Sequence, residues 1–141
     1  MQVRDVAAAR GRRVVTADPD ETIADVVDLL KEYSIGAIVV ATDDRILGII
    51  SERDVVRHLA REQEGTLRIK VEDLMTVDVS TCELDDEVEA TMLVMTRGRF
   101  RHMPVVDGND TLIGIVSLGD LVNARLLSLE AENTELREPS A

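Results

Sequence analysis

Two short patterns carry the groups best suited to chemistry in this chain: Ser51-x-x-Asp54 and Ser117-x-x-Asp120. A carboxylate accepts hydrogen bonds from two vicinal hydroxyls at once, and a charged acceptor contributes about 1.5–3 kcal/mol. Each pair stands where a helix is expected to open, so free backbone amides and the positive end of the helix dipole suit a phosphate. The same spacing also describes a capping box, in which the hydroxyl and the acid satisfy the first free amides. Asp86 and Glu89 repeat that spacing elsewhere. The two roles are compatible, because a cap can be exchanged for a ligand.

The densest cationic stretch is Arg97, Arg99, Arg101 and His102. Arginine and histidine suit oxyanions, although a solvated basic edge has the same composition. Arg53 is a further candidate for anion contact, whereas Arg10, Arg12 and Arg13 read as a solvated turn. His58 has no evident partner and reads as a surface residue. Cys82 reads as a small apolar interior residue, and its spacing from His102 does not suggest a metal site. No phosphate-binding loop and no nucleophile–base constellation is visible, so the chain is expected not to be an enzyme.

The elements that must position these groups occur twice. Gly48-Ile49-Ile50-Ser51-Glu52-Arg53-Asp54 recurs as Gly114-Ile115-Val116-Ser117-Leu118-Gly119-Asp120, 66 residues on, while Ile35 to Val40 matches Phe100 to Val105 at an offset of 65. The extra residue falls in the turn Asp107-Gly108-Asn109-Asp110, where insertions are tolerated. Each copy reads as a short strand (14–17; 79–82), a helix, a hairpin of two strands and a second helix. Ile23, Val26, Val27 and Leu30 form one apolar face; Val88, Met92 and Met95 hold the matching face. The hairpin strands are expected at 37–41 and 46–50, and at 103–106 and 112–116. A short leading helix is expected from Val3, Val6 and Ala7, ending near Gly11, and a lead-in helix at 71–75. By chain order the division is 1–64 for the first repeat with its leading helix, and 65–141 for the second with its lead-in and extended last helix. In that last helix Val122, Leu126, Leu129, Asn133 and Leu136 step by 4, 3, 4 and 3, a short heptad seam that either docks on its own core or contacts another subunit.

Composition excludes several classes. Of the 141 residues 45% are hydrophobic but only 1% aromatic, so the core is aliphatic and base stacking has almost no platform. A net charge of −12 argues against nucleic acid and against anionic membranes. Such a field is screened within roughly 8 Å at physiological salt, so a local arginine cluster remains able to hold a small anion. No apolar run approaches the roughly 20 residues of a membrane helix, one cysteine allows no internal disulfide, and no signal peptide is apparent. The chain reads as cytoplasmic.

The tandem β-α-β-β-α unit with Gly-hydrophobic-hydrophobic-Ser-x-x-Asp resembles the CBS domain, here a stand-alone bacterial pair related to those beside inosine-monophosphate dehydrogenase barrels. Supporting marks are Pro19 in Asp-Pro-Asp-Glu-Thr-Ile, Ile35-Gly36-Ala37, and Arg101-His102-Met103-Pro104-Val105-Val106-Asp107. The resemblance implies an α+β fold in which two repeats pack through their sheets about a pseudo-two-fold axis, leaving two clefts for adenosine compounds such as AMP, ADP or ATP. By that similarity Asp54 and Asp120 bind ribose hydroxyls, and Ser51 and Ser117 face ribose or phosphate. The base lies between the first strand (Thr16, Ala17; Thr81, Cys82) and the segment leading into strand two (Ile35, Gly36, Ala37; Arg101, His102, Met103, Pro104). Because Gly36-Ala37 stands opposite Arg101-His102, and Arg53 opposite Gly119, the two clefts cannot be equivalent. The family further implies a homodimer, an enzyme or transporter as possible partner, and no required cofactor. The alternative function is a ligand-independent dimerisation or docking module in which the Ser-x-x-Asp pairs are only caps.

Overall fold

The computed structural model describes residues 1–6, 9 and 14–137. The expectations resting on Ala7, Arg10, Gly11, Arg12 and Arg13 lie outside the described residues. The order is β1 (Thr16–Ala17), α1 (Ile23–Glu32), β2 (Ala37–Thr42), β3 (Arg45–Ser51), α2 (Glu52–Arg61), α3 (Val88–Gly98), β4 (His102–Val106), β5 (Leu112–Ser117) and α4 (Leu118–Arg137). The fold is α+β with one β-α-β-β-α repeat in each half, except that the first strand of the second repeat shrinks to one bridge, Cys82 with Val105. The lead-in helix expected at 71–75 is a single 3₁₀ turn, Val71–Asp73, and the leading helix another, Val3–Asp5.

In the first repeat β1 lies parallel to β2, with Thr16 beside Val39 and Ala17 beside Val40, and β3 runs antiparallel to β2. The run Ala37 to Ala41 is buried at every position, as its unbroken apolar sequence requires of a central strand covered on both faces. Asp43 and Asp44 turn the chain between β2 and β3 with φ of 52° and 61°, the left-handed pair that a two-residue hairpin loop demands. Ile23, Val26 and Leu30 of α1 are buried over this sheet's core with Ile38, Val40 and Ile50. In the second repeat Val88 and Met95 of α3 pack with Met103, Val105, Val116 and Leu121.

The compact units do not follow chain order. One comprises Met1–Arg12, Thr81–Asp107 and Ile113–Ala141; the other comprises Arg13–Ser80 and Gly108–Leu112. Each lead-in segment therefore packs with the repeat other than the one it precedes in the chain. Apolar side chains and backbone pairing explain why. Val3, Val6 and Ala9 are buried in the core of the second repeat, where Val3 N donates to Asp86 O at 2.9 Å and Val88 N donates to Met1 O at 2.9 Å. Val71 is buried in the core of the first repeat; its N donates to Glu21 O at 2.8 Å, and Ile23 N donates to Ile69 O at 2.9 Å. Each lead-in thus closes the start of the first helix in the repeat it joins.

The same segments explain the repeated glycines. A Cβ on Gly48 would stand 2.5 Å from Met75 Sδ and 2.8 Å from Thr76 O; one on Gly114 would stand 2.8 Å from Ala9 O. Thr76 pairs with Ile49 in both directions at 2.9 and 3.0 Å, extending the edge of β3. Glycine is needed where another backbone approaches this closely.

Candidate functional site

Both Ser-x-x-Asp patterns fold as capping boxes at the start of the second helix of each repeat. Ser51 N donates to Asp54 Oδ2 at 2.8 Å, Ser51 Oγ donates to the same oxygen at 3.0 Å, and Asp54 N donates to Ser51 Oγ at 3.2 Å. In the second copy Ser117 N donates to Asp120 Oδ2 at 2.9 Å and Asp120 N to Ser117 Oγ at 3.0 Å. Ser51, Asp54, Ser117 and Asp120 are all half-buried. Each acid uses Oδ2 for the cap, and among the described residues no donor reaches Oδ1 of either. Capping therefore leaves one carboxylate oxygen available to a hydroxyl donor.

The expected capping pair Asp86 and Glu89 is not formed. The residue before α3 is Glu87, which makes no side-chain cap; Asp86 instead accepts from Glu83 N at 2.8 Å and closes the preceding turn. The box that does open a first helix is Thr22 with Asp25.

In both repeats the segment leading into strand two is tied to the helix start by the same backbone bond. Glu52 N donates to Gly36 O at 2.9 Å, and Leu118 N donates to Arg101 O at 2.7 Å. Upstream, Ile35 N bonds to Leu30 O and Phe100 N to Met95 O, both at 3.1 Å, after Ser34 and Arg99 end their helices with φ of 51° and 59°. Ala37 is the register partner of Ser51. Gly36 and Ala37 are thereby brought to Ser51 and Asp54, and Arg101 to Ser117 and Asp120, within each repeat. These backbone ties carry no side-chain signature, so the sequence did not signal them.

The first-strand residues join the same neighbourhoods. Ala17 is buried beside Val40, while Thr16 is exposed. Cys82 is buried, its N donating to Pro104 O at 3.0 Å and its O accepting from Val106 N at 2.9 Å; Thr81 is exposed, and Met103 and Pro104 are buried. Burial, reinforced by the charge of Asp86, pushes the Cys82 thiol up to about 12 from an ordinary 9.0. The raised value means that folding favours the protonated thiol. Its contribution to stability is complete below pH 9 and is lost as the pH rises towards 12. We expect Cys82 to resist alkylation by iodoacetamide at pH 8 in the native chain and to react readily in urea; equal rates in the two states would contradict its burial.

The cationic stretch belongs to one repeat alone. Arg97, Arg99 and Arg101 are exposed, and among the described residues none of them forms an ion pair. His102 is half-buried at the start of β4, and Arg53 is exposed at the start of α2. His58, expected at the surface without a partner, has a side chain only 15% exposed. Its Nδ1 lies 3.0 Å from Thr66 Oγ1 and its Nε2 3.7 Å from Glu62. The buried Thr66 hydroxyl donates to Glu62 O, so it is the imidazole that donates to Thr66. His58 thus secures the end of α2 and is not placed with the Ser51 and Asp54 groups. Among the described residues no three of His, Cys, Asp and Glu group to hold a metal ion, and no helix is long and apolar enough to cross a membrane.

Comparison with known proteins matches this architecture. The CBS domain matches residues 3–61 and 71–127. A CBS-domain-containing protein from Agrobacterium tumefaciens superposes with a TM-score of 0.82 at 40% identity, over 89% of this chain and 99% of that one. The inosine-5′-monophosphate dehydrogenase of Methanocaldococcus jannaschii is 35% identical over 113 residues, 79% of this chain but only 22% of that enzyme. The CBS domain pair of protein MJ0100, in complex with 5′-methylthioadenosine and S-adenosyl-L-methionine, superposes with a TM-score of 0.76 at 25% identity, over 90% of this chain and 99% of that one. The chain belongs to the CBS domain family and carries two CBS domains in tandem.

Proposed function

We propose that this chain is a regulatory binding module for adenosine-containing metabolites, AMP, ADP, ATP or a related adenosine derivative. It acts in the cytoplasm, without catalysis of its own, and reports occupancy to a partner protein or through its own homodimer. The observation that carries this reading is the half-engaged carboxylate: Asp54 and Asp120 each cap a helix with Oδ2 and keep Oδ1 for a ribose hydroxyl. Ser51 and Ser117 lie alongside for ribose or phosphate. The base is assigned to the backbone of Thr16-Ala17 with Ile35-Gly36-Ala37, and of Thr81-Cys82 with Arg101-His102-Met103-Pro104. The adenosine ligands of the MJ0100 pair support the ligand class. Arg101 and His102 favour phosphate in the second repeat, where the first has Gly36 and Ala37 and only Arg53 adds charge.

Signalling further requires that the ligand bind two arrangements of the protein unequally, since tight binding alone shifts no equilibrium. The test is thermal unfolding with AMP, ADP, ATP, S-adenosylmethionine, NADH and cyclic dinucleotides. A ligand at 100 times its Kd adds about 2.7 kcal/mol, an upward shift of several degrees for a chain of this size. No shift with any of them refutes the proposal. It would leave the second reading, a ligand-independent interaction module, which the complete capping boxes at Ser51 and Ser117 favour.

A further inference from the structure

The last helix outruns the fold that anchors it. Leu121 is fully buried and Ala124 packs against the core of the second repeat, but from Leu126 to Leu136 every residue except Ser128 is exposed. Three apolar members of the heptad seam are among them, Leu126 at 56%, Leu129 at 42% and Leu136 at 86%, whereas Val122 is half-buried. The seam does not dock on its own core. An exposed helical stretch this short is marginal in water without a partner.

The sequence of the seam specifies the partner. Assigning Val122, Leu129 and Leu136 to d places Leu126 and Asn133 at a. A single Asn at an a position sets register and oligomer state in parallel coiled coils, where it meets its own copy. In an antiparallel pair an a residue faces a d residue, so the Asn133 amide would lie against a valine or leucine and lose its partner. The flanking charges agree with the parallel arrangement. Arg125 at g faces Glu130 at e of the other helix. Arg125 already holds Glu89 at 2.8 Å and lies 3.9 Å from Glu132 of its own helix; its five donors allow it to serve a further carboxylate.

We propose that residues 122–136 of α4 pair with the same segment of a second copy as a parallel two-stranded coiled coil, in register at Asn133. The occupant of this face is the chain itself, and the pairing needs no nucleotide, so it stands or falls apart from the ligand assignment. α4 enters the pair already nucleated by its buried first turns.

Two measurements on the full chain test it. Sedimentation should show a dimer at micromolar concentration, and Leu126→Asp with Leu129→Asp should raise its Kd about 100-fold or more. Both side chains are exposed, so circular dichroism should show the fold retained. Independently of those variants, Asn133→Cys should give a disulfide-linked dimer under mild oxidation, because a–a′ pairs in a parallel coil fall within disulfide reach. Ala131→Cys on the outer f face should not, and buried Cys82 will not compete. A monomeric or trimeric wild type, a dimer indifferent to the paired aspartates, or equal crosslinking at 131 and 133 would each overturn the proposal.

Discussion

Val3→Asp is expected to destabilise the second repeat, whose core residues begin at Cys82, and to spare the first. Val3 is fully buried among Cys82, Val88, Met95, Met103 and Val116. Among the described residues of that core none is cationic, and leaving a charge unpaired there costs about 3–5 kcal/mol, a large part of the stability of a small domain. Val71→Asp should act in reverse, because Val71 is fully buried with Ile23, Val26, Ile38 and Ile50. Native-state hydrogen exchange separates the two effects. In Val3→Asp the amides of β4 and β5 should open first while those of β2 and β3 keep their protection; in Val71→Asp the order should invert. If Val3→Asp opened β2 and β3 first, the assignment of lead-in segments would be wrong.

That assignment also marks where the sequence stopped being readable. The α1 face, both hairpins and both second helices follow from periodicity and turn composition, since each is decided by residues close in the chain. Thr66 lies in the stretch after α2 and Val71 in the expected lead-in helix, and nothing local says which core either enters. Their destination depends on long-range pairing, such as Thr22 with Lys70 and Gln2 with Glu87. The repeat did carry a trace of it in Gly48 and Gly114. These appear as motif residues in the sequence and turn out to be where Thr76 and Ala9 pass at backbone distance.

The candidate site was legible in part for the same reason. Ser51 with Asp54 and Ser117 with Asp120 are local pairs at helix starts, and they fold as such. His58 was misread because its partner, Thr66, lies across the connection after α2. Asp86 was misread because the same side chain can close a turn or cap a helix, and the turn over Glu83 N prevailed. The placement of Arg101 beside Ser117 rests on a backbone bond, Leu118 N to Arg101 O, which side-chain identity does not encode.

The sharpest functional consequence concerns the two acids. Asp54→Ala and Asp120→Ala remove the same cap, so each should lose about 0.5–2 kcal/mol of stability by thermal or urea unfolding. If the acids serve only as caps, nothing more follows, and the affinity for any adenosine compound that stabilises the wild type is unchanged. If Oδ1 receives ribose hydroxyls, each variant loses in addition a charge-assisted pair of about 1.5–3 kcal/mol, or roughly a 10- to 100-fold rise in Kd at its own repeat. For phosphate-bearing ligands the loss should be larger at Asp120, since the exposed Arg101 is tied to that helix start and Gly36 occupies the equivalent place beside Asp54. Arg101→Ala supplies the control: Arg101 is exposed, so its loss should weaken AMP, ADP and ATP while leaving stability and S-adenosylmethionine binding nearly unaltered. Calorimetric titration of the three variants reads the affinities, and unfolding reads the stabilities. Unaltered affinities in Asp54→Ala and Asp120→Ala, alongside the expected loss of stability, would return both motifs to helix caps and leave the paired repeats as an interaction module.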